Sequence, residues 1–146
     1  MDAFLDLVDE DVSRCSAART LRTARALTRH YDEALRPVGL TITQFTLLIT
    51  VAKAEPESIS QIGELLSMDR TSVSRNLKLL EKAGLIRRGN ESAARKRPVE
   101  LTKVGRERLS DAYTHWAKAQ DLVESKFTQG KFEQAMSSLR ALRELT

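Results

Sequence analysis

Apolar side chains recur at intervals of three and four along most of this chain, and give way to short strand-like runs in one place, within residues 60–101. There, Ile62, Leu65 and Leu66 predict one short helix with Ser60 available as its N-cap. Ser67 and Met68 make a turn. Asp69 then caps a second helix that keeps Val73, Leu77 and Leu80 inward until Gly84 stops it. Residues 85–88 and 98–101 read as two strands around a polar loop at 89–97.

The flanks are helical by the same period. Residues 12–35 repeat Cys15, Ala18, Leu21, Ala24, Leu27, Tyr31 and Leu35, and Pro37 with Gly39 ends the run. Thr41 and Gln44 have the spacing of a capping box, opening a helix through Phe45 to Val51 that is apolar nearly all round and therefore expected inside. Residues 58–60, with Ile59 at the centre, are expected to add a short third strand. Thr102 caps a long helix marked by Val104, Leu109, Ala112, Trp116, Ala119, Val123 and Phe127, in which Gly105 costs about 1 kcal/mol against alanine. A last helix from Lys131 turns Phe132, Met136, Leu139, Leu142 and Leu145 inward.

Together these elements predict a mainly α fold with a small β-wing: a winged helix-turn-helix with N- and C-terminal dimerisation helices. The winged module takes 41–102, and 1–40 with 103–146 forms a helical dimerisation region within one structural domain. Three terminal helices offer more apolar surface than a module of about 60 residues covers, so a helical homodimer is expected. Phe4, Leu5, Leu7 and Val8 in the N-terminal segment add to that surface.

The outward side of the second helix carries Arg70, Thr71, Ser72, Ser74, Arg75, Asn76 and Lys78. Small hydroxyl residues in a first turn let a helix approach base edges and phosphates, and Arg and Asn make the bidentate contacts that distinguish guanine from adenine. Arg95, Lys96 and Arg97 at the hairpin tip can reach the minor groove or the flanking backbone. Residues 67–108 hold twelve Lys or Arg against five Asp or Glu, a local balance of +7 in a chain of net +4. Basic character concentrated there points to double-stranded DNA as the partner. A basic face that docks an acidic protein is the competing class, but Thr71, Ser72 and Asn76 are poor anchors for a protein interface.

Composition narrows the alternatives. In 146 residues, 41% hydrophobic and 30% charged, there is room for one core. No apolar run approaches the roughly 20 residues that span a bilayer. The N-terminus is acidic where a secretory signal is basic, so a cytoplasmic location without membrane association is expected. Cys15 is a single cysteine and His30 and His115 lie far apart, so neither a disulfide framework nor a local metal-ligand spacing is present. With no phosphate-binding loop or nucleophile motif either, an enzyme and a cofactor are not expected.

The chain resembles the MarR family of bacterial transcriptional regulators over nearly its whole length. The resemblance is carried by LTITQF, by SISQIGELLSMDRTSVSRNLKLLEKAGLIRR and by VELTKVG. It implies a homodimer of triangular outline bound to a pseudo-palindromic operator, usually as a repressor that a small lipophilic or phenolic molecule, or cysteine oxidation, releases. It gives Arg70, Thr71, Ser72, Ser74, Arg75, Asn76 and Lys78 the recognition helix and Arg95 the wing tip. One departure stands out: the family's wing has an aspartate two residues before that arginine, and this chain has Ala93, with Glu91 as the nearest substitute.

In similar proteins the effector pocket lies where the dimer helices meet the winged module. Cys15, Arg19, Arg22, His30, Tyr31, Phe45, His115 and Trp116 are the side chains here that can line it. Cys15 also supports a redox switch, since Arg14 and Arg19 nearby would favour a thiolate, although cysteine is often only a small buried hydrophobe.

Overall fold

The structure is a computed structural model that describes Val8, Val12, residues 14–89 and residues 98–144. Among the described residues, six helices and one hairpin follow in the order α1 (Ser16–Leu35), a 3-10 turn (Arg36–Val38), α2 (Ile42–Ala54), α3 (Ile59–Leu66), α4 (Arg70–Lys82), β1 (Ile86–Arg88), β2 (Val99–Leu101), α5 (Lys103–Glu124) and α6 (Lys131–Arg143). No single described helix is long and apolar enough to cross a membrane.

The core is assembled around α2. Its N-terminus carries the expected capping box, with Thr41 accepting from the Gln44 N–H and the Gln44 side chain accepting from the Thr41 N–H. Phe45, Leu47, Leu48 and Val51 are buried, and from other elements Leu35, Ile62, Val73, Leu77, Leu80, Leu85, Ile86, Val99, Leu101 and Ala112 close over them. Polar bonds tie the flanking helices to this block. The Ile42 N–H donates to Asp32 at 2.7 Å, and Arg108 donates to the Val38 carbonyl at 2.8 Å. His30 Nε2 lies 3.0 Å from the Ala119 carbonyl, and the Tyr31 hydroxyl donates to Gln120, which joins α1 to α5.

Several expectations change. The helix predicted over 12–35 is broken at Cys15, which is extended and precedes α1 as its N-cap residue. Ser58, not Ser60, caps α3, because its side chain accepts from the Gln61 N–H. Residues 58–60 therefore open a helix and add no third strand; the Val99 N–H of β2 donates to the Pro56 carbonyl just before them. Leu65 is 55% exposed. The inward stripe of α3 runs instead through Ile59, Ile62, Gly63 and Leu66, which the helical period puts about 100° around from Leu65.

In the long helix, Val104 is exposed and the helix ends at Glu124, before Phe127. Phe127 packs edge-on against Phe132 across the turn to α6. The side chains expected inward on α6 are not covered by their own chain: Met136, Leu139 and Leu142 are all exposed. Leu21 on α1 and Leu122 on α5 are exposed too. Leu145, Phe4, Leu5 and Leu7 lie outside the described residues.

Candidate nucleic-acid interface

Helices α3 and α4 meet through a tight turn. Ser67 takes a left-handed conformation, φ 51°, and its N–H bonds back to the Glu64 carbonyl. Gly63 makes the turn possible: a Cβ there would lie 2.8 Å from the Met68 carbonyl oxygen, closer than real side chains approach. The apolar spacing did not single out Gly63, and its only signal was a glycine in the middle of a short helix.

Asp69 then caps α4, accepting from the Ser72 N–H at 2.8 Å. Bonds from the Ser72 side chain and then from the Ser72 N–H hold its carboxyl below the usual carboxylate range. The first turn thus keeps a fixed negative charge beside N–H groups that also suit a phosphate.

Beyond the cap, Val73, Leu77 and Leu80 anchor α4 in the core and the opposite side faces solvent. Arg70, Thr71, Ser74, Arg75 and Lys78, with Leu79, line one open depression of about 540 Å³. The face holds three cations and two hydroxyls and no carboxylate. Ser72 and Asn76 do not line it. Both are half-buried, as Ser74 is, and Asn76 donates to the Ser72 carbonyl at 2.9 Å.

The wing leaves directly from this helix. Gly84 adopts φ 71°, a left-handed conformation that ends α4 and turns the chain into β1. β1 and β2 are antiparallel with Ile86 opposite Leu101, Arg87 opposite Glu100 and Arg88 opposite Val99. Gly89 donates to the Pro98 carbonyl at 2.9 Å and closes the hairpin base. Arg87 makes an exposed ion pair with Glu100 at 2.7 Å. Arg88 sits at ion-pair distance from Glu81 of α4, 3.3 Å, but its Nε and Nη2 are buried without a hydrogen bond, so attraction there is electrostatic and poorly aligned. The tip residues Arg95, Lys96 and Arg97, with Glu91 and Ala93, lie outside the described residues.

Thr102 joins the reader, the wing and the long helix. Its hydroxyl donates to the Gly84 carbonyl at 2.6 Å and accepts from the Gly105 N–H at 2.9 Å, while its own N–H donates to the Leu85 carbonyl at 3.0 Å. Gly105 is not a tolerated weak point, as its propensity alone suggested. A Cβ there would lie 1.9 Å from the Leu85 carbonyl oxygen, so backbone packing requires glycine.

These features can be set against known proteins. A family model described as MarR family matches residues 38–97. The crystal structure of the M. tuberculosis transcriptional regulator MosR in complex with DNA is 32% identical, with a TM-score of 0.76, over 90% of this chain and 97% of that one. The chain belongs to the MarR family.

A second crystal structure of MosR is 29% identical, with a TM-score of 0.78 over 91% of this chain and 98% of that one. The repressor CouR bound to a 23-mer DNA duplex superposes with a TM-score of 0.81 over 91% of this chain and 95% of that one; at 23% identity this shares the fold. An uncharacterized HTH-type transcriptional regulator of Bacillus subtilis, YwoH, is 29% identical over 82 residues, which are 56% of this chain and 60% of the curated protein. These MarR-type relatives are transcriptional regulators rather than enzymes.

The side chains singled out for an effector do not converge. Phe45 and Trp116 stack at 5.8 Å and line a cavity of about 930 Å³ between α2, β2 and α5, together with Ile49, Leu109 and Tyr113. Arg106 and Ser110 add polar groups to it. Arg19, Arg22 and His30 line a different groove, between α1 and the end of α5. Tyr31 and His115 line neither. Burial raises the Tyr31 hydroxyl pKa, and the Glu124 charge adds to the shift. Cys15 is exposed at the start of α1, not a small buried hydrophobe.

Proposed function

We propose that this chain is a sequence-specific DNA-binding transcriptional regulator that binds a pseudo-palindromic operator as a homodimer. The observation that carries this is the open face of α4, without a carboxylate among the described residues that line it, where Arg70, Thr71, Ser74, Arg75 and Lys78 stand together on a helix anchored by its other side. Such a face matches a major groove in shape and charge. In this reading residues 41–102 form the DNA-binding module, and 1–40 with 103–146 the dimerisation region. Exposed Leu21, Leu122, Met136, Leu139 and Leu142 support the pairing, because a lone chain leaves them in water. Arg95, Lys96 and Arg97 extend the contact from the wing, and Ser72 and Asn76 act from the flank of the helix.

The regulator acts as a repressor that a small lipophilic or phenolic molecule releases. The cavity against Phe45 and Trp116 supports this, since it touches α5 and β2 and so adjoins both the dimerisation helix and the wing. A redox switch is the second reading, favoured by one observation: the Cys15 thiol is exposed.

Gel shifts on DNA upstream of the gene, over a range of salt, test the main reading. One fragment should bind in the presence of excess competitor, and log affinity should fall linearly with log salt. Equal binding to every fragment would remove the claim of sequence specificity. Adding peroxide and then thiol reductant separates the two switches, because only an oxidised Cys15 is rescued by the reductant.

A further inference from the structure

One side chain on the open face of α4 is explained neither by the core nor by charge. Leu79 is 51% exposed and stands outside the buried stripe of Val73, Leu77 and Leu80. Among the described residues of 41–102, two large apolar side chains are exposed, Leu65 on α3 and Leu79 on α4. Of the two, Leu79 lines the depression together with Arg70, Thr71, Ser74, Arg75 and Lys78. A lone exposed leucine is ordinary on a protein surface. A leucine set among the cations of a DNA-reading face is placed where the DNA itself takes it out of water.

Spacing fixes its company. Thr71, Arg75 and Leu79 follow at intervals of four and so form one row along the helix, and all three are exposed. From Arg75 to Leu79 the helix rises about 6 Å, a little under two base-pair steps of about 3.4 Å.

Chemistry then selects the base. Edges in the major groove present hydrogen-bond acceptors, amino donors and one apolar group, the thymine 5-methyl. The cations and hydroxyls of the face suit the acceptors. An amino donor needs an acceptor in return, but no carboxylate is among the described residues that line the depression, and Asp69 at the helix start is committed to the Ser72 N–H. Leucine offers no hydrogen bond at all. Pressed against a guanine oxygen or a cytosine amino group, it would strip water from a polar atom and return nothing. Against the thymine methyl, both surfaces leave water together.

We propose that Leu79 is a specificity-determining residue that packs on the 5-methyl of a thymine in the major groove, about two base pairs from the base that Arg75 reads. This rests on the DNA-binding reading above and adds to it the identity of one operator position. Arg75 selects its base by hydrogen bonds, and Leu79 selects its neighbour by burial.

The test uses the full-length protein and the operator fragment found by the gel shifts above. Each thymine is replaced in turn by deoxyuridine, which deletes the 5-methyl and keeps the pairing. One replacement per half-site should weaken binding of the parent protein about fourfold, the effect of one buried methyl. It should fall about two base pairs from the position at which Arg75→Ala relaxes the preference. Leu79→Ala and Leu79→Gln should bind the thymine and uracil forms equally there, whereas Thr71→Ser, which deletes the other methyl of the row, should leave the penalty in place. Because the side chain is exposed, both Leu79 variants should keep the parent's melting temperature; early melting would make Leu79 a core residue and overturn the proposal. Specific binding with no uracil penalty that Leu79 controls overturns the methyl contact and leaves the DNA-binding reading standing. So does an even loss of affinity over all fragments, which would put Leu79 against the sugar-phosphate backbone. A parent protein that selects no fragment overturns both.

Discussion

A Cβ built on Gly105 falls 1.9 Å from the carbonyl oxygen of Leu85, so the long helix and the entry to the wing touch backbone to backbone. Neither backbone has a side chain to rotate out of the way. Gly105→Ala should therefore cost about 3 kcal/mol, at the upper end of overpacking penalties, despite alanine's better helix propensity. Denaturant midpoints measured at matched protein concentration check this; a stabilised variant would mean that the two backbones are further apart.

Arg75 and Lys78 share the open face of α4 but should fail in different ways. Arg75→Ala should cost about 1–3 kcal/mol of operator binding and relax the preference at one base position. Lys78→Ala should weaken all sequences evenly and reduce the salt slope by about one. Arg95→Ala and Lys96→Ala should resemble Lys78→Ala. Competition gel shifts against single-base operator variants, repeated over salt, distinguish the two patterns.

Trp116 is the only tryptophan and lines the cavity beside α2, stacked on Phe45. A phenolic compound that frees the operator should change its fluorescence over the same concentration range. Release with unaltered emission would place the effector elsewhere.

The Asp69 cap makes a pH prediction. Its carboxyl pKa is lowered in the folded chain, first by the Ser72 side chain and then by the Ser72 N–H. A depressed folded pKa gives stability that is complete above the unfolded value and lost as pH falls through the folded one. Asp69→Ala should thus lower the melting temperature at neutral pH, and the gap to the parent protein should close only below the ordinary carboxylate range. Paired melting curves at neutral and strongly acidic pH measure it.

How much of this the residues announce in advance depends on whether local chemistry decides the outcome. Thr41 with Gln44 and Asp69 before Ser72 cap their helices as their spacing predicts, since capping needs only neighbours along the chain. Ser58 displaces Ser60 because Ile59 is wanted in the core stripe of α3, which is a packing decision. Met136, Leu139 and Leu142 have the spacing of a buried stripe, yet spacing does not say which molecule covers it. On α4 the composition of the face was readable, but its division was not. Asn76 turns to the Ser72 carbonyl, while Arg70, Thr71, Ser74, Arg75 and Lys78 remain together. The effector candidates were the least readable, because two separate hollows draw on residues far apart in the chain.

Thr102 grips Gly84 on one side and Gly105 on the other. The N-terminal end of the 22-residue α5 is therefore fastened to the turn that ends α4. Under the proposed reading, a tilt of α5 imposed near Trp116 would act on that fulcrum and re-aim Arg75 and Lys78.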